Sequence, residues 1–396
     1  MKGPKVVIVG GGLIGLSTAR ALTDRGVTDV LVLERSLLAS GGTGKSSGIV
    51  RSHYGVPSLA ALAWRSLPLI EKLGSDIGFR QLGYCVIVGP ANVAALRANI
   101  AMHQSLGIEA GLIEVSDLAA RWPMMNVEDV AAAGYEPRGG FADATQLALY
   151  FGQAARAKGA RVRQSTPVTR IRTSGDKVTG VETASGEVIE ADQVIVAAGW
   201  WSATLLASLG IDFPVDGYRS ELVIIDAGVK LEGLPVVSDL VSLQYGRIDG
   251  TGQFLVGNSD HSDHADRKNR STDPDNYSNV VAEATIEKYA EKLAHRFPGF
   301  PNPSVAHGYA GVYDVPPDWN PVIAPLAAIS GLTLAAGFAG HGFKISPAVG
   351  ELIAGLVLDG GSPFPDVTAA DFRLERFAEG KPLSSQHPYT GAGQMR

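Results

Sequence analysis

The chain has 396 residues, of which 45% are apolar and 19% are charged, and its formal net charge is −6. This length exceeds one ordinary core and predicts two domains, or one large α/β unit with a second domain inserted into it. The acidic balance disfavours a nucleic-acid partner, which needs a concentrated basic face, and no apolar run is long enough for a transmembrane segment.

The only cysteine, Cys85, lies in the apolar stretch YCVIV. A single thiol excludes an internal disulfide framework and favours a reducing compartment. The apolar stretch near the N-terminus is too short for a signal peptide. We therefore expect a cytoplasmic protein in which Cys85 is a small buried apolar side chain and not a redox group.

Residues 5–34 predict a strand, a glycine turn, a helix over residues 13–25 and a second buried strand. The turn contains Gly10-x-Gly12-x-x-Gly15, in which the glycines permit the tight turn, the approach of a pyrophosphate and close helix–sheet packing. Glu34 ends the second strand, where a carboxylate binds ribose hydroxyls. The sequence therefore predicts a dinucleotide site, which also includes Leu13, Ile14 and Arg35.

The rest of the chain alternates helical and strand patterns. Predicted helices span residues 59–73, 92–107, 117–122, 144–158, 279–297 and about 347–358, and predicted strands span residues 83–88, 161–164, 167–173, 177–184, 191–199, 221–225, 253–257 and 332–337. Residues 258–278 are almost wholly polar and predict a solvated loop. The last 20 residues, rich in Gly, Pro and Ser, predict a loose tail.

The glycine turn alone is compatible with FAD or NAD, and three later segments favour FAD. They are GGTGKSSGIVR (41–51), TPVT (166–169) leading to ADQVIVAAGWWS (191–202), and GFAGHGFKISPAVGEL (337–352). Together with the glycine turn they resemble the D-amino acid oxidase family of FAD-dependent oxidoreductases, which includes sarcosine oxidase, glycine oxidase and dimethylglycine dehydrogenase. The resemblance covers about residues 5–360.

The resemblance implies that these segments surround FAD. The implied cofactor contacts are Gly42, Thr43, Ser46, Ser47, Gly48, Val168, Ala198, Gly199, Trp200, Gly337, Gly340, Gly342, Phe343 and Lys344. Ser346 reads as an N-cap and Pro347 as the first residue of the last long helix. We expect the positive end of that helix, with Lys344, to stabilise the anionic reduced flavin.

The resemblance to sarcosine oxidase also implies catalytic residues. Arg51 and Lys344 would hold the substrate carboxylate. His53 and Tyr54 are expected to line the pocket because they lie close to Arg51 in the sequence, not because of the resemblance. His341 would lie beside the flavin, although a structural histidine between two glycines is an equal alternative. Tyr245 would lie on the substrate side, or would be an ordinary core tyrosine.

The chain departs from the family at two places. The segment that holds the flavin-linking cysteine of sarcosine oxidases reads AGVY here (310–313), and Lys45 stands near the flavin-linking histidine of dimethylglycine dehydrogenase. FAD is therefore expected to be bound non-covalently. The strand that carries an oxygen-activating lysine reads QFLVG here (253–257), so the electron acceptor is either oxygen or another molecule.

One group of potential metal ligands stands apart from these motifs. It comprises His261 and His264 with Asp260, Asp263 and Asp266, in the polar stretch. A structural metal site normally has a rigid, supported frame, so we predict a solvated loop and no metal.

We predict an α/β fold in which a Rossmann-like FAD-binding domain of the glutathione-reductase type is interleaved with an α+β domain that has a mainly antiparallel sheet. The FAD domain takes residues 1–82, 145–214 and 320–376, the substrate domain residues 83–144 and 215–319, and the tail residues 377–396.

The predicted function is oxidation of the C–N bond of a small amino acid, most of all a secondary amine such as sarcosine. One alternative is a subunit that passes electrons to a partner, and another is a primary-amine oxidase acting on glycine or D-amino acids. A nicotinamide dehydrogenase and a non-catalytic flavin-binding protein are also open.

Overall fold

The computed structural model describes residues 5–260, 270–271 and 273–391. The helices are α1 Leu13–Asp24, α2 Pro57–Leu73, α3 Val93–Ser105, α4 Val115–Arg121, α5 Ala144–Ala157, α6 Ser202–Ala207, α7 Glu283–Arg296 and α8 Gly342–Asp359. The strands are β1 Val6–Val9, β2 Val30–Leu33, β3 Ile49–Val50, β4 Tyr84–Val88, β5 Gly111–Ile113, β6 Ala132–Glu136, β7 Gly140–Phe141, β8 Arg161–Arg163, β9 Val168–Ser174, β10 Lys177–Thr183, β11 Val188–Glu190, β12 Gln193–Val196, β13 Asp216–Asp226, β14 Val236–Asp239, β15 Gln244–Asp249, β16 Gln253–Asn258, β17 Arg270–Ser271, β18 Ser304–Val315, β19 Val322–Pro325 and β20 Leu332–Ala336.

A six-stranded sheet has the order β19-β20-β12-β1-β2-β8. Its strands are parallel except for the edge strand β19. The strands β1 and β2 are buried at every residue, as their unbroken apolar runs predict for a sheet covered on both faces. Helix α1 packs against α5 and α8 on one side of this sheet, and the apolar residues of β9, β10 and β11 lie in a second core on the other side.

A nine-stranded sheet forms the second layered unit. Its order is β17-β13-β16-β15-β14-β4-β6-β5, and β18 pairs with β13. All its pairings are antiparallel except that of β4 with β14. The buried side chains of this sheet and of α7, Cys85 among them, form a separate core. The predicted α/β fold with a mainly antiparallel second sheet is thus confirmed, while the exact domain limits stay a prediction.

The start of α8 corrects a prediction. The helix begins at Gly342, and Ser346 and Pro347 lie inside its second turn instead of at its cap. Pro347 has no N–H to donate to the carbonyl of Phe343 four residues earlier, and the Ser346 hydroxyl donates to that carbonyl at 2.8 Å instead. Ser346 and Pro347 therefore do not start the helix. Inside it, the Ser346 hydroxyl replaces the backbone hydrogen bond that Pro347 cannot make.

The C-terminal segment corrects a second prediction. Its residues up to 391 contain little regular structure, but they are not loose. Asn99 donates to the carbonyl of His387, Asn92 exchanges two hydrogen bonds with the backbone of Thr390, and the ring of Tyr389 is buried. A polar composition predicted disorder, whereas one aromatic anchor and the backbone groups hold this segment against α3 and the residues before it.

Two smaller points concern the predicted loop and α7. Helix α7 begins at Glu283, four residues after its predicted start. Within the polar segment 258–278, Arg270–Ser271 form a short strand on β13, and His261 and His264 lie outside the described residues. None of the described helices combines the length and apolarity needed to cross a membrane.

Candidate active site

A cavity of about 480 Å³ opens at the carboxyl ends of the parallel strands. This is where ligands bind in open α/β sheets, and its volume falls within the range of about 300–1,000 Å³ that cofactor sites occupy. Its wall is formed by the turn after β1, the end of β2, the loop before β3, the end of β12 and the start of α8, together with residues 311–314 of the second sheet.

The glycine turn has room for no other residue type at two positions. Gly10 has φ +116°, and a Cβ there would lie 2.2 Å from the carbonyl oxygen of Ala197. A Cβ on Gly15 would lie 2.0 Å from the carbonyl oxygen of Gly10. These contacts bring the start of α1 against the sheet and beside the cavity, and the N–H of Leu13 donates to the hydroxyl of Thr43 at 3.1 Å.

Glu34 is fixed at the cavity wall by the backbone. One carboxylate oxygen accepts a hydrogen bond from the N–H of Gly11 at 2.7 Å, and the other accepts one from the N–H of Ser36 at 2.8 Å. A carboxylate has about four lone-pair positions, so acceptor capacity is left for a ligand hydroxyl. This geometry suits the ribose contact that the sequence predicts.

Three side chains close the end of the cavity next to Glu34. Arg35 pairs with Asp275 at 2.8 Å and lies over the ring of Trp201 at 5.1 Å. The indole N–H of Trp201 donates to the same carboxylate at 3.0 Å. Sequence reasoning named Trp200, whose ring instead lies against Gly217. Asp275 was missed because it stands among many similar polar residues.

A residue of the second sheet forms a hydrogen bond with the loop before β3. Arg247, on β15, is buried, donates to the carbonyl of Ser47 at 2.6 Å and stacks over Phe141 at 4.4 Å. The sequence offered no sign of this contact, because 200 residues separate Arg247 from Ser47. On the facing wall the ring of Tyr313 comes so close to Gly340 that a Cβ there would lie 3.0 Å from it.

Most of the predicted cofactor residues meet at this cavity. Those on its wall are Gly10, Gly12, Leu13, Ile14, Glu34, Arg35, Gly42, Thr43, Ser46, Ser47, Val168, Ala198, Gly199, Gly340, Gly342 and Phe343. Those behind the wall are Gly15, Gly48, Trp200, Gly337 and Lys344. Gly48 packs against the carbonyl of Ala142, and the N–H of Gly337 donates to the half-buried carboxylate of Asp314 at 2.7 Å.

Four of the five predicted catalytic residues gather around Tyr54. The guanidinium carbon of Arg51 lies 4.2 Å from the ring centroid of Tyr54, the Lys344 Nζ lies 6.0 Å from it, and the ring of His341 lies 5.1 Å away. Arg51 also donates to the carbonyl of His53. We call these five residues the Tyr54 cluster. All are buried, and His341 and Lys344 belong to the start of α8, beside Gly342 on the cavity wall.

A layer of polar groups lies behind Arg51. Glu136 accepts a hydrogen bond from the N–H of Ser52 at 2.8 Å, and its second oxygen lies 3.8 Å from the Nδ1 of His53. Burial raises the pKa of Glu136 to about 7, against the opposing effects of the Ser52 hydrogen bond and the charge of Arg51. Burial lowers the pKa of His103 to about 4. Sequence reasoning missed both residues, which no motif marks.

The C-terminal segment covers this layer. The Tyr389 hydroxyl lies 2.8 Å from the Nε2 of His53, and the two rings stack with centroids 5.9 Å apart.

The fifth predicted catalytic residue, Tyr245, lies elsewhere, on β15 against Gly257, and burial raises its pKa well above 10. Tyr245 belongs to the core of the second sheet and its neighbour Tyr313 lines the cavity, so both interpretations of Tyr245 stay predictions.

The family model described as "FAD dependent oxidoreductase" (DAO) matches residues 5–356. The chain belongs to the DAO family of FAD-dependent oxidoreductases. It is 29% identical to "Sarcosine oxidase subunit beta" of Rhizobium meliloti (strain 1021), over 95% of this chain and 88% of that protein. It is 26% identical to "Dimethylglycine dehydrogenase, mitochondrial" of Homo sapiens, over 91% of this chain but only 43% of that protein.

A solved member of the fold gives the same result. "L-proline dehydrogenase from P.horikoshii" superposes with a TM-score of 0.86 at 25% identity, over 96% of this chain and 99% of that chain. The resemblance that the motifs predicted is therefore confirmed, and so is an FAD-dependent oxidoreductase that acts on amino acids or amines. A nicotinamide dehydrogenase is excluded by membership of this family.

The cavity of this DAO-family chain fits FAD. Gly10, Gly12 and Leu13 place the start of α1 on the cavity wall, where a pyrophosphate can bind, and Glu34 offers acceptors to a ribose. The cavity continues past the loop before β3 to the start of α8. FAD bound there would be held by these backbone groups. The helix start and the two cations near Tyr54 would then give one end of the cavity a positive potential.

Proposed function

We propose that this DAO-family enzyme oxidises the C–N bond of a small amino acid with a substituted nitrogen, such as sarcosine. The convergence of Arg51 and Lys344 on Tyr54, beside the wall of the cofactor cavity, supports this proposal. Two cations from distant segments that converge on one point attract an anion, and a substrate carboxylate is a suitable anion.

Three residues of the Tyr54 cluster have a physical task in this proposal. Arg51 offers a planar pair of donors to the carboxylate, and Lys344 adds a point charge from α8. Holding the carboxylate orients the Cα–N bond and keeps it out of water. His341, whose Nε2 lies 3.1 Å from the carbonyl of Trp319, fixes the start of α8. Bound FAD supplies the acceptor for the hydride.

The names of the relatives favour a substituted nitrogen. Sarcosine, dimethylglycine and L-proline, which appear in the names of three similar proteins, are all amino acids whose nitrogen carries an additional carbon. A primary amine such as glycine or a D-amino acid is the second candidate, because the carboxylate contact that we propose does not depend on the substituent.

We further propose that FAD is bound without a covalent link. Neither a cysteine nor a histidine is found among the described residues that line the cavity, and Lys45 stands beside Gly311 where the family resemblance places a link. Retention of the flavin by the native protein and its release into the supernatant after acid precipitation would test this directly. The single buried cysteine agrees with our proposal of a cytoplasmic location.

The electron acceptor is proposed to be a molecule other than oxygen. The strand β16, Gln253–Asn258, contains no lysine, whereas the resemblance to sarcosine oxidase places an oxygen-activating lysine there. One relative is named as a subunit, so a partner protein that takes the electrons is a specific alternative to a small acceptor. Slow turnover with oxygen and fast turnover with an artificial acceptor are expected, and a rapid peroxide burst would contradict this.

Anaerobic reduction of the protein-bound flavin tests the substrate. We expect sarcosine and N-ethylglycine to bleach the oxidised flavin spectrum, with glycine and D-alanine slower. Dimethylamine, which has no carboxylate, serves as the matched control and should leave the spectrum unchanged at the same concentration. If no amino acid of a broad N-substituted and primary panel bleached the flavin, the proposed function would be wrong.

A further inference from the structure

One charged group behind Arg51 is not part of the proposed binding site for the substrate carboxylate. Glu136 is 5% exposed and lies at the end of β6, where one of its oxygens accepts a hydrogen bond from the N–H of Ser52. Ser52 directly follows Arg51, so that this contact fixes the backbone from which the arginine projects. The charges of Arg51 and Glu136 also act on each other, since each favours the ionised form of the other.

The second oxygen of Glu136 lies in an unusual setting. Within the described residues it accepts no hydrogen bond, and neither does the Nδ1 of His103, although both atoms are buried. The side-chain nitrogens of His53 and His103 and the Glu136 carboxylate offer atoms within 4.8 Å of one another. The Nε2 of His103 lies 2.8 Å from the carbonyl oxygen of Tyr54 and 3.3 Å from its N–H nitrogen. Because a carbonyl only accepts and its contact is the shorter one, we assign the proton to Nε2, which leaves Nδ1 as an acceptor. A proton on Glu136 would turn one of these two buried acceptors into a donor.

The other titratable and charged groups around Glu136 come from every neighbouring element. Arg51 and His53 follow β3, Tyr84 lies on β4 opposite Glu136, His103 lies on α3, and Tyr389 covers His53 from the C-terminal segment. A space of about 10 Å³ borders Glu136 and also Arg138 and Glu109, which form an ion pair that reaches the surface. Protons therefore have a short route between Glu136 and solvent.

We propose that Glu136 is a positioning residue that takes up a proton when the substrate carboxylate binds to Arg51. This proposal rests on the proposed function, because it requires a carboxylate at Arg51. A metal ion is a poor alternative occupant of the space among His53, His103 and Glu136, because Arg51 already places a positive charge beside it.

The physical reason is the sharing of one guanidinium by two anions. In the free enzyme Arg51 stabilises the ionised form of Glu136, and burial opposes it, so that the pKa of Glu136 lies near neutrality. A substrate carboxylate on Arg51 repels the Glu136 charge and weakens that stabilisation, so binding raises the Glu136 pKa further. By linkage, the carboxylate binds more tightly when Glu136 is already neutral, and binding weakens as pH rises above about 7.

Binding of propionate to the FAD-loaded full-length protein tests this, because propionate has no amine that titrates. The dissociation constant is read from the perturbation of the flavin spectrum between pH 6 and pH 8.5. We expect the constant of the wild type to rise about tenfold between pH 7 and pH 8.5, as one coupled proton requires. In Glu136→Gln, which keeps an acceptor for Ser52, we expect the constant to stay flat over the same range. A pH-indicator dye in weak buffer should detect proton uptake at pH 8 with the wild type only.

Two further variants separate the possible outcomes. Glu136→Asp keeps a carboxyl group and should keep a pH-dependent constant, whereas a purely structural role for Glu136 would not distinguish Asp from Gln by pH. If the slope persisted in Glu136→Gln and vanished in His53→Asn, the titrating group would be His53 and the proposal would be overturned. Binding of propionate with no pH dependence would also overturn it while leaving the proposed function intact. If propionate did not bind at any pH, the proposed binding of the substrate carboxylate by Arg51 and Lys344 would be wrong.

Discussion

The cofactor cavity and the Tyr54 cluster lie beside each other and are built in different ways. The cavity is formed largely by backbone: glycines at Gly10, Gly12 and Gly15, the start of α1 and the ends of two parallel strands. The Tyr54 cluster is formed by side chains from the segment after β3 and the start of α8, and the layer behind it adds residues of β6, α3 and the C-terminal segment.

This difference determines how each region responds to change. A backbone site depends on conformations that only certain residues adopt, so one added methyl group destroys it. A side-chain site depends on charge and on hydrogen bonds among groups that are far apart in sequence, so its response to a substitution is graded and depends on pH. Substitutions in the two regions should therefore fail in different ways.

The largest effect is expected for Gly10→Ala. The added Cβ would lie 2.2 Å from the carbonyl oxygen of Ala197, at a φ of +116° that an alanine rarely adopts. The cost should exceed the roughly 1–3 kcal/mol of an ordinary strained residue, because a main-chain atom must also move. We expect the purified variant to retain almost no flavin, measured as the ratio of visible to ultraviolet absorbance. Gly111→Ala is the matched control, since a Cβ there meets nothing within 4 Å, and equal flavin loss in both variants would contradict this explanation.

The next largest effect is expected for Arg51→Ala. This substitution removes the planar donor pair and leaves Glu136 without its cation, so we expect kcat/KM for sarcosine to fall about 10³-fold, which corresponds to about 4 kcal/mol. Flavin content should stay near that of the wild type, because Arg51 is not on the cavity wall. Arg51→Lys should recover part of the loss, as it restores charge but not the fork of donors. The exposed Arg172→Ala is the control, and an equal loss there would break the distinction between the two regions.

The backbone region was largely predictable from the sequence for the same physical reason. A run such as VVIV, a glycine turn and a carboxylate at fixed spacing are local patterns, and the strands and the cavity that they predict are found. The start of α8 was predicted wrongly because Ser346 and Pro347 resemble a cap. Their true role depends on a hydrogen bond to Phe343 that sequence spacing does not reveal.

The side-chain region was only partly predictable. Arg51 and Lys344 were named from the family resemblance and His53 from its closeness to Arg51 in the sequence, and the structure brings the three together. Glu136 and Tyr389 were not named, because each reaches this region by a long-range contact: Glu136 with Ser52, 84 residues away along the chain, and Tyr389 with His53, 336 residues away. The distance of 2.8 Å between the Tyr389 hydroxyl and His53 is a tertiary fact, and it also explains why a polar C-terminal segment is held in place.

A third prediction concerns stability and pH. The pKa of Glu136 rises from 4.5 to about 7 in the folded protein, so its favourable contribution is present below pH 4.5 and is lost as pH rises through 7. The pKa of His103 falls from 6.5 to about 4, so its contribution is present above pH 6.5 and is lost as pH falls toward 4. The two slopes oppose each other, and the wild type should therefore change little between pH 6.5 and pH 4.5.

Glu136→Gln should expose the slope of His103. Over those two pH units we expect the unfolding free energy of the variant to fall by about 2–3 kcal/mol more than that of the wild type, at about 1.36 kcal/mol per pH unit for one proton. Denaturant titrations at the two pH values measure this difference. Parallel pH profiles for the variant and the wild type would show that Glu136 has the same pKa folded and unfolded.

The smallest effect is expected for Tyr389→Phe. The phenyl ring keeps the stacking on His53, and only the hydrogen bond between the hydroxyl and the Nε2 of His53 is lost. A lost hydrogen bond of this kind costs about 1 kcal/mol, so we expect a rise of a few fold in the KM for sarcosine with an unchanged kcat and unchanged flavin content. Tyr389→Ala also removes the buried ring and should weaken the C-terminal segment enough to lower kcat as well. If Tyr389→Ala had the same KM and kcat as the wild type, the C-terminal segment would cover the Tyr54 cluster without affecting it. The side-chain site would then not depend on residues outside it, and this part of the contrast with the backbone site would be wrong.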